Sequence, residues 1–270
     1  MNTFYYYSEV TSSGPTATDI FVTNAGITNL VQKAALQQLE NDLKSNNFWT
    51  RFKAIYPFVG ETEQAQTLNF VDPRNEDAAF RLTMYSDAVS HSVYNAKGMK
   101  MEKTYANTHF NGSLHFNPGL GDHISIYVQS RPVAERGDII DMGSYGGDNH
   151  HLITGYDPDL DAGLSEYHGN YTSFKTPHDG VGFYMLSGMG TNTQGFYYEN
   201  GKNLGSVLLS STGSPNLPMY IGTLSLNGSA YQLSTRQYSF SSIGDYFNDA
   251  DSATLYTIIQ KYQTALGRAI

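Results

Sequence analysis

The sequence predicts a mainly β sandwich with an amphipathic helix at each end. Three observations carry that expectation. Only 15% of residues are charged, while 21 Tyr and 14 Phe supply the aromatic side chains that favour strands in a folded chain. From Phe52 onward, short apolar or alternating runs follow one another, separated by Gly, Asn, Asp and Ser clusters at spacings typical of a sandwich or barrel. Helical periodicity is confined to two stretches, one before these runs and one after them.

Taken in order, residues 1–17 end in SSGPTAT, a Gly/Pro/Ser-rich run that reads as a tether. Phe4, Tyr5, Tyr6 and Tyr7 form an aromatic cluster inside it. Consecutive aromatics are a liability in water and an anchor when docked on a neighbouring protein. Residues 1–17 are therefore assigned to attachment and residues 18–270 to one domain. A helix is expected over 28–46, capped by Thr28, with Val31, Ala35, Leu36, Leu39 and Leu43 on one face and Asn46-Asn47 at its end. Trp49, the only tryptophan, suits an anchor of that helix on a sheet.

Strands are expected in FKAIYPFV, QTLNFV, AFRLTMY, HISIYVQS, DIIDMGSY and HHLITGY, then in VGFYMLS, GFYYEN, SVLLSS, MYIGTL and YQLSTRQYSFSSIGD. The clearest local signal is YYENGKNLGS, where Asn200-Gly201 suits a type I′ hairpin that needs positive φ at both central residues. A closing helix over 251–266 has Asp249 or Asp251 as its cap and Gly267 as its stop. Leu255, Ile258, Ile259, Tyr262 and Leu266 form its apolar face.

Composition excludes several functions. The net charge is −9 and no basic patch stands ready to neutralise phosphates, so nucleic acid is not an expected partner. No apolar run is long enough to cross a membrane. Without cysteine there is no disulfide and no Cys-based metal or nucleophile chemistry. The opening MNTFYYYSEV has neither the charged start nor the apolar core of a secretory signal. The Tyr/Gly/Asn/Ser-rich makeup is nonetheless that of an extracellular recognition domain. A protein folded in a host cytoplasm and released in a particle reconciles the two.

The order strand, Asn-Gly turn, strand, MYIGTL, RQYSFSSIGD resembles the closing half of a concanavalin A-like (laminin G-like) jelly roll. The wider pattern, ITNLVQKAALQQLENDLKSNNFWTRFKAIYPFVG, FVDPRNEDAAFRL and RQYSFSSIGDYFNDADSATLYTIIQKYQTALGRAI, resembles lectin-like proteins of tailed bacteriophages. The resemblance covers essentially everything after residue 18, and the two ends match better than residues 86–180. It implies a concanavalin A-like jelly-roll sandwich with flanking helices, in a virion structural protein such as a fibre, tail or head decoration. It also implies attachment to host-surface or environmental glycans, other virion proteins as partners and a homotrimer; the family offers no catalytic residue to carry over, and no cofactor is expected. The alternatives are a glycan-active hydrolase and a bacterial carbohydrate-binding module.

The stretch DIIDMGSYGGDNHH raises the question of chemistry. Hydrolases of the jelly-roll class carry Glu-x-Asp-x-x-Glu, and strand alternation sets nucleophile and acid on one face. Asp138 and Asp141 stand three apart, on opposite faces of a regular strand, and no glutamate follows. Catalysis of that design is not expected, and Asn at both positions is expected to alter stability only slightly. Arg136-Gly137-Asp138 reads as ordinary turn chemistry.

Asp157, Asp159 and Asp161 alternate as in a calcium loop, but Gly163 comes one residue late and the closing glutamate is missing, so a solvated acidic turn is expected. His150 and His151 are adjacent, and His109, His115 and His123 are scattered among turns, without a zinc-ligand spacing. Neither LSGMG nor LSSTG is a nucleophile elbow, and no phosphate loop or dinucleotide fingerprint occurs.

Sugar binding remains. YGGDNHH contributes Tyr145, Asp148, Asn149 and His150, and SEYHGNYTSF contributes Tyr167, His168, Asn170 and Tyr171. Aromatic faces match apolar sugar faces, and short polar side chains on rim loops match hydroxyls. The alternative is that these tyrosines pack between strands or at a subunit contact.

Overall fold

The computed structural model describes residues 14–86, 89–116, 121–132, 139–146, 149–157, 162–167, 170–174, 180–188, 194–208 and 215–270. For 149–157, 162–167, 170–174 and 207–208 the description is of the backbone. The chain is mainly β, a concanavalin A-like jelly-roll sandwich with helices at both ends.

The strands are β1 (Phe52–Tyr56), β2 (Thr83–Tyr85), β3 (Val93–Asn95), β4 (Gly98–Lys100), β5 (Tyr105–Asn111), β6 (Asp122–Ser130), β7 (Ile140–Gly146), β8 (Asn149–Asp157) and β9 (Ala162–Tyr167). They continue with β10 (Asn170–Phe174), β11 (Gly182–Gly188), β12 (Gln194–Glu199), β13 (Lys202–Leu208), β14 (Pro218–Ile221), β15 (Leu224–Leu226), β16 (Ser229–Tyr231) and β17 (Gln237–Gly244). One sheet runs β13-β12-β11-β6-β17-β4-β3 with β1 beside β17; the other runs β10-β9-β8-β7-β14-β5-β2 with the β15–β16 hairpin against β7.

Two buried layers explain the strand sequences. Between the sheets lie Ile124, Ile126, Tyr184, Leu186 and Tyr238 from one side and Ala106, Phe110, Met142, Met219 and Ile221 from the other. Tyr127, Phe183, Met185 and Phe240 point the opposite way, against the helices. β6 and β11 are thus buried on both faces, so Ile126-Tyr127-Val128 and Phe183-Tyr184-Met185-Leu186 read as continuous apolar runs, whereas alternation needs one wet face. In the second sheet β2 is exposed or half-buried throughout, whereas β5 buries Ala106, Asn107, Thr108 and Phe110 and exposes His109.

The helices correct the sequence reading. α1 (Ala17–Asn24) was not expected; Thr16 and Asp19 form a capping box at its start. Its first amides are held by the buried Glu40 carboxylate, which accepts from Thr18 N at 2.9 Å and Thr18 Oγ1 at 2.6 Å. α2 (Leu30–Ser45) is capped by Asn29 rather than Thr28, and Val31 is exposed instead of joining Ala35, Leu36, Leu39 and Leu43 inside. Trp49 packs edge-on against Phe70 at 5.5 Å.

QTLNFV forms no strand; α3 (Glu63–Thr67) takes its first residues. The Asn69 side chain then does the work of a ladder beside β1, with Oδ1 accepting from Ile55 N at 3.0 Å and Nδ2 donating to Lys53 O at 3.2 Å. After a short α4 (Gly112–His115), the closing helix α5 (Asp249–Ala265) is capped by Asn248, and both proposed caps lie in its first turn.

Candidate functional site

The opening question has a structural answer. Asp141 is fully buried, 2.8 Å from Arg236 Nη1 and accepting from the Tyr238 hydroxyl at 2.6 Å. Tyr238 also bonds Ser234 Oγ at 2.8 Å, so the carboxylate on β7 ties one sheet to the other through the interior. A carboxylate so enclosed holds the sandwich together and meets no substrate. The expectation of a slight stability effect at Asp141 is therefore corrected: a paired charge taken out of water is costly to orphan. Asp138 lies outside the described residues.

The histidines are corrected as well. His109 is on β5, His115 ends α4, and His123 is buried in β6, so they are not scattered among turns. Burial holds the His123 imidazole down to about 3, and the neutral ring donates from Nδ1 to Asp245 O at 2.7 Å. Asp157 ends β8, and Asp159 and Asp161 lie outside the described residues. Among the described residues no group of three His, Asp or Glu is placed to hold a metal, and no helix is long and apolar enough to cross a membrane.

The two expected glycan stretches come to one end of the nine-stranded sheet. In the register, Tyr145 faces His150, Gly146 faces Asn149, His151 faces Tyr167, Tyr167 faces Asn170, and Tyr171 faces Glu166. SEYHGNYTSF, expected as a rim loop, is mostly the β9–β10 hairpin. Asp148, His168 and the aromatic cluster Phe4–Tyr7 lie outside the described residues. The Tyr145 ring is half-buried and packs with Ile140, Leu224 and Leu226.

A second place, unforeseen in the sequence, is built from described side chains. β2 and β3 are the outermost strands of their sheets' main paths. They border a cleft of about 300 Å³. β2 brings Met84 and Tyr85, β3 brings Tyr94, α3 brings Glu63, and Ser86, His91, Ser92 and Thr104 complete the lining. Tyr85 is 42% exposed and pairs across the ladder with Tyr105. Their rings stack at 5.0 Å and 8°, and Tyr105 meets Tyr220 at 4.9 Å and 33°. Stacking fixes Tyr85 from one side and leaves its exposed remainder at the cleft.

The polar side of the cleft is equally ordered. Ser92 Oγ and Thr104 Oγ1 are 2.6 Å apart. Burial, then the neighbouring Glu63 charge, push the Tyr94 phenol up, so it stays protonated. α3 is pinned over β3 by Gln66, whose Nε2 donates to Asn95 O at 3.1 Å. The hairpin below fits because of Gly98: at φ +115 its hydrogen lies where a Cβ would come 2.1 Å from Tyr238 O. Beside the stack, Thr83 Oγ1 meets His109 Nε2 at 2.8 Å, and burial lowers the His109 pKa. His109 sits at φ 55, held by its own N–H donating to Asn107 Oδ1 at 2.8 Å.

No protein-family model matches this chain, and no curated protein matches it. Solved structures do. A botulinum neurotoxin type C structure, from a toxin that depends on interaction with two ganglioside molecules to enter cells, aligns at TM-score 0.54 and 9% identity, over 80% of this chain and 53% of its own. The receptor binding domain of botulinum neurotoxin D aligns at 0.51 and 9%, over 77% and 53%. A Trypanosoma rangeli sialidase mutant displaying trans-sialidase activity aligns at 0.50 and 11%, over 84% and 39%. The chain thus spans about half or less of the length of these structures. At such identities the likeness is one of fold, and activity does not travel with a fold.

Proposed function

We propose that this protein is a glycan-binding, non-enzymatic jelly-roll domain of a tailed-bacteriophage virion, and that it holds a sugar in the cleft between β2 and β3. The observation that carries the binding reading is the cleft itself. A half-exposed tyrosine fixed by a stack of two more rings shares the lining with a hydrogen-bonded pair of hydroxyls and a carboxylate. That pairs an apolar surface for a pyranose face with donors and acceptors for its rim. The fold shared with a toxin that interacts with gangliosides supports a glycan as the ligand and says nothing of its charge.

The virion setting rests on the sequence resemblance of the helix-to-β1 segment, FVDPRNEDAAFRL and the closing segment. Residues 1–17, with Phe4–Tyr7, are the proposed attachment segment of a homotrimer, and the β7–β10 hairpin ends are a second glycan contact.

The test is a glycan array followed by calorimetry on the best ligand. Tyr85→Ala is expected to weaken binding about tenfold, the scale of one lost aromatic anchor, with the fold intact by circular dichroism. Binding that survives Tyr85→Ala and is lost on Tyr145→Ala would move the site to the hairpin ends. Binding to no glycan would leave a structural role. Antibody detection in purified particles checks the virion setting.

A further inference from the structure

The cleft is lopsided in charge. Among the described residues Glu63 is the one carboxylate that lines it, set among Met84, tyrosines and hydroxyls, with His91 beside them. Among the described residues no lysine or arginine lines it. The adjoining hollow that shares His91 holds one side chain of each sign, Glu102 and Lys103, and the whole chain is at −9.

A carboxylate beside aromatic rings is suited to an ammonium: the carboxylate accepts its hydrogen bonds and the negative ring faces attract its charge. Tyr94 and Tyr85 stand in the same lining as Glu63. An acidic sugar meets the opposite field. Its carboxylate would stand near Glu63 with no lining cation to balance either group, which is discrimination by repulsion.

Resting on the reading of the cleft as a sugar site, we propose that its preferred ligand carries a free primary amine, as in a 2-amino-2-deoxyhexose. The ammonium sits on Glu63 and the ring on Tyr85.

Calorimetry on the full chain near about pH 6, where a sugar amine is protonated, would compare short oligomers of glucosamine, N-acetylglucosamine and glucose, with a galacturonate oligomer as the acidic case. The glucosamine oligomer is expected to bind about tenfold tighter than the acetylated one, the scale of a charge-assisted hydrogen bond. Glu63→Gln is expected to erase that margin, weakening the glucosamine oligomer more than the acetylated one. Equal affinities, a preference for the acidic oligomer, or a margin that survives Glu63→Gln would overturn the amine preference. In those cases sugar binding still lost on Tyr85→Ala keeps the broader reading. If ethanolamine binds in a Glu63-dependent way and no oligosaccharide does, the ammonium site stands and the sugar reading falls. Silence from every probe overturns both.

Discussion

Replacing Asp141 by Asn keeps the shape of the side chain and removes its charge. The consequence follows from where the pair lies: the two side chains are 0% and 1% exposed, and Arg236 Nη1 is 2.8 Å from the carboxylate. Asparagine leaves the buried guanidinium without its Asp141 counter-charge, and breaking a buried pair by removing one partner costs about 3–5 kcal/mol. For a chain of this size each kcal/mol moves Tm by roughly 2–4 °C, so a fall of about 6–20 °C is expected. Calorimetric or fluorescence-detected melting reads it directly. The double variant Asp141→Leu with Arg236→Met should recover most of the loss, because it removes both charges and their desolvation together. A single variant that melts within about 2 °C of the parent would refute the reasoning. So would a double variant no more stable than the single one.

Two further outcomes test other parts of the structure. The buried neutral His123 has its pKa held at about 3, below the ordinary 6.5. The unfolded chain therefore binds the extra proton first, and this contribution to stability, complete above about pH 6.5, falls by roughly 1.4 kcal/mol per unit down to about pH 3. Denaturant titrations across that window should show the slope, and His123→Gln should flatten it. Gly98→Ala forces a Cβ into the Tyr238 carbonyl and should shift the β3–β4 hairpin. Glycan affinity should then fall more than Tm does, since Tyr94 moves with the hairpin while the interior layer remains.

Much of the fold was legible because its causes are local. The hairpin at Asn200-Gly201 forms as its residues demand, with φ of 50 and 75. The apolar face of α2 from Ala35 to Leu43 and that of α5 from Leu255 to Tyr262 are buried as their periodicity dictates. Signals of the same kind went unread at two places. The Thr16–Asp19 capping box opens α1, and Asn227-Gly228 turns β15 into β16 at φ 49 and 86. The errors at Thr28 and Asp249 are of one residue, since several good caps stand side by side and only the docked helix chooses among them.

The candidate site was not legible, and neither was the role of Asp141. By itself the sequence determined the class of the fold, the apolar faces of α2 and α5 and the Asn200-Gly201 turn, because propensity, periodicity and capping act within a few residues. Pairings across long stretches of chain were decided by tertiary structure alone. Tyr85 meets Tyr105 and Tyr105 meets Tyr220; Asp141 meets Arg236; Glu63 and Tyr94 share a cleft with Tyr85 because two sheet edges close on the same side. No spacing in the sequence encodes those meetings. They follow from sheet order and register, which the packing of two buried layers selects as a whole.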